Sequence, residues 1–453
     1  MRENELMSDK TPGGIPRRRF VKDSALAAAG VAAVAGFPNI ITSRAAADDP
    51  IRVGLIGCGG RGTGAALNVL QANTKVVYPR VMYHTEDAEA GAVIKAKHIT
   101  VIALADVFKD RLDACRAQLK KVGNDVAEDH CFVGFDAYKE LLAIPEINYV
   151  LHATPPAFRP MHLRAAIEAG KHIFIEKPLA VDGPGIRSVL ESAELARQKN
   201  LGILCGAQRR HQLSYVETVK RIHDGAIGDL VECRAYWNGG ELWYVPRQPG
   251  WSEMEYQLRN WNYFTWLSGD HVVEQHLHNL DVMRWVIKDH PIKASGMGGR
   301  QARTGPEFGN IYDHFAVEFE YANGMRMFSQ CRQINGCTGN VSEAVVGTKG
   351  TSNCATMIKA AQEWKYSGPT PNPYEQEHID MIASIRAGKP LNEGKEVAES
   401  TLSGIMGRVS AYTGRSVTWD QVLYSKQSLA PSRWEFGPVP VPEVAIPGKY
   451  QFE

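Results

Sequence analysis

Mainly apolar runs at 51–56, 98–105, 149–154, 171–175 and 201–205 alternate with stretches of helical spacing, as at 63–72 and 161–169. Short apolar runs bounded by turn residues predict strands buried on both faces. Gly170 closes the second helical stretch, and Pro155 and Pro156 stop the third apolar run, as expected where a glycine ends a helix and a proline breaks a strand. Strands alternating with helices predict a parallel, doubly wound sheet. Residues 374–413 again show helical spacing and are expected to pack back onto that sheet. The Pro-rich stretch 426–453 predicts an extended arm wrapping this subunit or a neighbour.

The first 47 residues follow a different pattern. Pro16-Arg17-Arg18-Arg19-Phe20-Val21-Lys22 resembles a twin-arginine (Tat) signal with Arg17 and Arg18 as the pair. An Ala- and Gly-rich apolar core follows at 25–37, then Ala45-Ala46-Ala47, small residues of the kind signal peptidases require. A membrane anchor is the other reading, but this core is short and Ala-rich for a bilayer. The expectation is a cleaved signal at 1–47 and an exported, periplasmic protein, with the export machinery as a partner. That route generally carries proteins already folded around a cofactor.

Composition narrows the choice. With 44% hydrophobic and 22% charged residues, the remaining chain builds ordinary cores and is long enough for two domains. Lys+Arg 51 against Asp+Glu 50 gives no basic excess for nucleic acid. No further apolar run reaches membrane-spanning length. Eight cysteines are scattered without a Cys-x-x-Cys pair, which argues against structural zinc. If a disulfide forms, Cys331 with Cys337 is the favoured pair.

The most specific motif opens the first strand–helix unit. The run Ile51–Ile56 leads into Gly57-x-Gly59-x-x-Gly62, with Gly60 and Arg61 completing the loop. In a dinucleotide-binding crossover the first glycine allows the turn, the second lets a pyrophosphate approach, and the third lets helix and strand pack closely. The phosphates meet the positive end of the helix. Asp106 closes the second strand, placed to accept from ribose hydroxyls and to repel a 2′-phosphate. That favours NAD over NADP. Asp106 lies farther from the glycines than usual because 78–97 is a polar insertion. A helix N-cap is its other role, and the two are compatible.

Several motifs in order then resemble the Gfo/Idh/MocA oxidoreductase family: the glycine motif, Ala105-Asp106, Ala153-Thr154-Pro155, Gly170-Lys171-His172, Glu176-Lys177-Pro178 and His278-x-x-Asp281. The resemblance implies an N-terminal Rossmann domain and a C-terminal α/β domain with a large, mostly antiparallel open-faced sheet. It implies domains at 48–180 and 181–425, the second used by many members for homo-oligomer contacts. Thr154, Pro155, Glu176, Lys177 and Gln208 are then expected at the cofactor.

The chemistry is expected around Lys177, at the carboxyl end of a parallel strand, where ligands bind in such sheets. Oxidising an alcohol removes a proton from oxygen as hydride leaves carbon, and a lysine can take or relay that proton. Family members typically carry Asp-x-x-x-His in the second domain; here Glu274 and His278 stand in those places. On one helical turn they would share a face, with His278 the acid/base and Glu274 orienting it. Asp281 is expected to support the substrate site or dock the helix, and Arg209 to reach the nicotinamide and substrate pocket or make a salt bridge. His271, His276 and His278 raise a metal reading, but the spacing is not that of a zinc helix and hydride transfer needs no metal; no metal is expected.

Trp237, Trp243, Tyr244, Trp251, Tyr256, Trp261, Tyr263 and Trp266 crowd one segment, with Asn262 among them. Aromatic faces stack on the apolar faces of sugars, and an interface or core patch is the alternative. Trp261 is the substrate candidate singled out. The leading expectation is an exported NAD(H)-dependent oxidoreductase of a sugar, sugar derivative or cyclitol, with cofactor held tightly because no cytoplasmic pool replenishes it. An NAD-retaining glycoside hydrolase acting by transient oxidation and elimination shares these features. So does a non-catalytic sugar-binding protein, against which Lys177 and His278 count.

Overall fold

The computed structural model describes residues 49–82 and 85–453, so the expected signal lies outside the described residues. The first domain is a six-stranded parallel sheet in the order Cys131–Val133, Ile99–Asp106, Ile51–Ile56, Tyr149–His152, His172–Ile175, Ile203–Cys205. The central strands are buried because helices cover both faces. Gly60–Val69, Lys109–Lys121 and Pro373–Arg386 pack on one side. Arg159–Glu168, Gly183–Gln198 and Gly394–Thr413 lie on the other. The layer runs past residue 180: Ile203–Cys205 is needed to pair with His172–Ile175, so the first domain extends beyond the expected boundary.

The second domain is a nine-stranded sheet, in the order Trp364–Lys365, Met357–Lys359, Thr351–Ser352, Asn340–Gly347, Leu230–Gly239, Arg326–Gln333, His314–Glu320, Lys293–Gly299, Val417–Thr418. Only the pairing of Leu230–Gly239 with Arg326–Gln333 is parallel. Helices Leu277–Ile287 and Gly394–Thr413 cover its inner face. Gly394–Thr413 is buried almost all round, as a helix sandwiched between two layers must be. It lies between Gly183–Gln198 and the large sheet, with small residues at the contact: a side chain at Gly404 would meet the Val273 backbone at 3.2 Å.

The insertion at 78–97 is a hairpin, Thr74–Val77 paired with Thr85–Ala88, whose outer end reaches the second domain. There Met82 N donates to Tyr244 O at 2.6 Å. The Pro-rich arm wraps this subunit: Leu429 N donates to Asp182 Oδ2 at 2.7 Å and Gly448 N to Thr413 O at 2.9 Å. Its Trp434 packs on Phe158 and its Phe436 on Phe135, with ring centroids 4.4 and 5.1 Å apart. All eight cysteines are free, Cys331 buried and Cys337 exposed, so the favoured disulfide is absent. Among the described residues no helix is long and apolar enough to cross a membrane.

Candidate active site

Two adjoining clefts open at the carboxyl ends of the parallel strands. The first, about 850 Å³, is lined by the glycine loop, Asp106, Phe108, Arg111, Phe135, Thr154 and Pro155 among others. Gly57 has φ +95°, and a side chain at Gly62 would lie 1.8 Å from Gly57 O. Loop and helix therefore touch backbone to backbone. The helix Gly60–Val69 starts without a side-chain cap. Its first N–H groups lack intrahelical acceptors and suit an anion in the cleft. Around Gly59 nothing lies within 4 Å of a notional side chain, which leaves room for phosphate to approach. These features fit a dinucleotide.

Asp106 does not take the expected N-cap role: the helix Lys109–Lys121 starts after Phe108 with no side-chain cap, and the Asp106 carboxylate binds backbone on either side instead. Its Oδ2 accepts from Cys58 N at 2.6 Å and its Oδ1 from Phe108 N at 2.8 Å, tying the glycine turn to the next helix. Burial pushes its pKa up, against Arg111 and these two N–H groups. Arg61 lines the cleft with its side chain turned to acidic partners: Nε donates to Glu176 at 2.6 Å and Nη1 to Glu86 at 3.0 Å. Its guanidinium also lies 4.9 Å over the Tyr374 ring. Glu176 is thereby committed to Arg61 and to the Lys177 N–H, at 3.1 Å. Gln208 donates to Tyr374 OH at 3.2 Å and does not line either cleft.

The second cleft, about 1020 Å³, shares Arg61, Thr154, Trp243 and Trp261 with the first and holds Lys177, Glu274 and His278. The expected pairing of Glu274 with His278 is not formed. The helix is interrupted between His271–Glu274 and Leu277–Ile287, and Lys177 draws Glu274 away. Lys177 Nζ donates to Glu274 Oε1 at 2.8 Å and to Glu274 O at 2.6 Å. His278 stacks on Trp237 with ring centroids 5.6 Å apart. Burial, with Lys177 and Arg209 nearby, pushes its pKa well below the ordinary value, so the imidazole is neutral.

Two expected substrate residues stay out of the cleft. Asp281 is buried and bound twice by Arg210, at 2.8 Å each, and by Ser400 Oγ at 2.7 Å; it docks the helix. Arg209 pairs with Glu343 and stacks near Tyr215 and Trp237, because the sheet residue Glu343 is itself buried and needs a cation. The histidines do not converge: His271 bonds Asp270 at 3.0 Å and His276 bonds Ser329 at 2.7 Å. Among the described residues no group of metal-binding side chains forms. The aromatic segment divides. Trp237, Trp243, Trp261 and Asn262 reach the second cleft, whereas Tyr256, Tyr263 and Trp266 are core.

Two residues of the second cleft escaped sequence reasoning. Arg159 is buried, donating from Nε to Thr154 O at 3.0 Å and from Nη1 to Pro178 O at 2.6 Å. It ties together the loops after two strands, and burial lowers its pKa to about 10. Its position just after the Thr154-Pro155 strand end is the signal that marks it. Tyr374 opens the helix Pro373–Arg386, far along the chain, and no local motif announces it.

A nucleotide-type cleft beside a cleft with a lysine–carboxylate pair, between a Rossmann domain and an open sheet, defines a dinucleotide-dependent oxidoreductase architecture. Residues 51–203 match the family model described as "Oxidoreductase family, NAD-binding Rossmann fold", and residues 215–353 match the "GFO/IDH/MocA C-terminal domain". The chain belongs to the Gfo/Idh/MocA family. It is 31% identical over 202 residues to inositol 2-dehydrogenase of Agrobacterium fabrum, covering 45% of this chain and 51% of that one. The chain spans about half the length of the curated relatives it matches. Among solved structures it resembles aldose-aldose oxidoreductase from Caulobacter crescentus (TM-score 0.61, 16% identity, 82% and 99% of the two chains). It also resembles scyllo-inositol dehydrogenase from Lactobacillus casei, solved with NAD(H) and scyllo-inositol (TM-score 0.59, 18% identity, 82% and 99%). At these identities the likeness is one of fold.

Proposed function

We propose that the protein is an exported NAD(H)-dependent oxidoreductase acting on a hydroxyl or keto group of a sugar, sugar derivative or cyclitol. The observation that carries this is the pair Lys177–Glu274 beside a neutral His278, in a cleft continuous with the dinucleotide cleft. Bound nicotinamide supplies the hydride acceptor or donor. Lys177 Nζ holds a substrate hydroxyl and moves its proton, and Glu274 fixes the ammonium in place. His278, in the same cleft and neutral through burial, accepts in the oxidative direction the one proton that Lys177 relays from the hydroxyl, and returns it in the reductive direction. Arg159 holds the loops on which Thr154 and Lys177 sit. Trp237, Trp243 and Trp261 give apolar faces for a ring and exclude water.

The names of the relatives support a cyclitol or aldose substrate. Export through Arg17 and Arg18 is part of the same reading, and it requires the cofactor to stay bound. The open sheet face is the proposed homo-oligomer contact. The test begins with the spectrum of the protein purified from its native compartment. Nicotinamide released on heating, and a panel of sugars and cyclitols one of which reduces it, is the expected result. No nicotinamide and no NAD binding by calorimetry overturns the reading. Replacing Arg17 and Arg18 by lysine is expected to strand the precursor; normal export of that variant removes the export part alone.

A further inference from the structure

The hairpin that lengthens the first crossover has no part in the dinucleotide cleft, yet it reaches across to the second domain. Its outer end is joined there by backbone bonds: Met82 N donates to Tyr244 O at 2.6 Å, and Val81 bridges with Tyr244. A third cleft, about 670 Å³, lies between the hairpin and the loop beyond Leu230–Gly239, lined by Tyr78, Arg80, Glu241, Trp243 and Asn335 among others. Tyr78, Leu242 and Trp243 belong to both this cleft and the one holding Lys177, so the two are continuous.

The chemistry of this vestibule is specific. Tyr78 is 74% exposed where the two clefts join. The polar rim is locked in advance: Asn335 Oδ1 accepts from Glu241 N at 2.9 Å, and Asn335 Nδ2 donates to Glu241 Oε2 at 2.9 Å. Val76, Val77, Val81 and Met82 of the same hairpin are exposed as well. An aromatic platform ringed by a guanidinium, a carboxylate and an amide is the combination that binds a pyranose, with stacking on the apolar face and bidentate bonds to hydroxyls.

We infer that this vestibule is a second saccharide subsite, and that the substrate is a glycoside or oligosaccharide whose reacting ring lies at Lys177 while its neighbouring ring lies between Tyr78 and Glu241. The inference rests on the proposed sugar oxidoreductase function and names its substrate class. The hairpin serves as the wall of the subsite and sets the length of saccharide that fits.

The experiment compares free glucose, galactose, N-acetylglucosamine and myo-inositol with disaccharides and p-nitrophenyl glycosides of the same sugars. Steady-state kinetics, with NAD added in excess as the hydride acceptor, and tryptophan quenching are read on the full-length holoenzyme. The expected result is a kcat/KM about tenfold or more in favour of the two-ring form of the preferred sugar, the size of one stacking contact. Tyr78→Ala and Arg80→Ala, both at exposed positions, are expected to bring that ratio towards one. A best substrate that is a free monosaccharide or cyclitol, or variants that leave the ratio untouched, overturns the subsite while the sugar oxidoreductase reading stands. Neither turnover nor quenching with any saccharide overturns both.

Discussion

Lys177 on the parallel sheet and Glu274 from the second domain meet at 2.8 Å, both largely withdrawn from solvent. The contact sets the position of the ammonium and couples the two domains at the point where chemistry is proposed. Removing one partner of a buried pair strands the other charge, at about 3–5 kcal/mol where burial is complete. Glu274→Gln keeps the shape and a hydrogen-bond acceptor, so it is expected to fold while losing turnover. Glu274→Ala is expected to lower the melting temperature as well. Differential scanning fluorimetry beside initial rates separates the two effects; a Glu274→Gln enzyme with full activity removes the carboxylate from the mechanism.

Lys177→Ala and His278→Ala are each expected to reduce the hydride-transfer rate by about 10²–10⁴-fold, the usual cost of losing an acid/base group. Cofactor affinity is expected to change little. A single-turnover absorbance trace with bound nicotinamide reads the step directly. If both variants keep near wild-type amplitudes and rates, the second cleft is not the reacting site.

The glycine loop offers a clean contrast. Gly62→Ala puts a methyl 1.8 Å from Gly57 O, so loop and helix must separate, at a cost of about 1–3 kcal/mol or more. Gly59→Ala meets no protein atom within 4 Å, so it is expected to fold normally and to bind NAD more weakly. Calorimetry with NAD and thermal melts of both variants test this. Equal melting temperatures for the two would contradict the backbone contact. Asp106→Ala is expected to weaken NAD binding, because the carboxylate holds Cys58 N at the glycine turn, and to discriminate less against NADP, because no carboxylate is then left to repel a 2′-phosphate.

Stability is expected to fall with acid. Burial pushes His162 and His276 down to about 3, and His152, His278 and His378 also lie well below the ordinary value. Their unfolded forms take protons below about pH 6.5 while the folded forms do not, so protons favour unfolding. Each such group removes on the order of 1 kcal/mol per pH unit between about pH 6.5 and its folded value. His211 runs the opposite way: between Asp380 and Glu393 it is raised to about 10, so its contribution is full below about pH 6.5 and is lost as pH rises from there to about 10. Urea midpoints at pH 7.5, 6 and 5 are expected to decrease in that order; a flat series would show these imidazoles protonated in the fold.

The arm bears on cofactor retention. Phe436 is 47% exposed on one side and packs on Phe108 and Phe135, two walls of the dinucleotide cleft, on the other. Phe436→Ala is expected to speed NAD release several-fold with a small change in melting temperature. Stopped-flow displacement of NADH fluorescence measures this, and an unchanged release rate places the arm outside cofactor retention.

The parallel sheet was legible because its strands are mainly apolar runs that need both faces covered, a pattern visible within each segment. Lys177, His278 and Trp261 were legible from motif and position. Glu274 was found, but its partner was not: sequence spacing assumes an unbroken helix, and the interruption after Glu274 lets Lys177 take the carboxylate. Arg209 and Asp281 look alike in sequence to cleft residues, yet Glu343 and Arg210 claim them. Those partners lie far along the chain, and no local pattern encodes them. Arg61 is the same case, drawn to Glu86 on the insertion and Glu176 on a later strand.

The helices Pro373–Arg386 and Gly394–Thr413, which flank the parallel sheet, come from sequence far beyond its strands. Met381 and Ile382 fill the same core as Leu67 and Leu70 near the start of the fold. Each face of the nucleotide half is therefore completed by a helix from sequence that follows most of the second domain's large sheet. A chain truncated before residue 373 is expected to leave that shared core open and to be cut faster by proteases than the full-length chain, however complete its glycine motif.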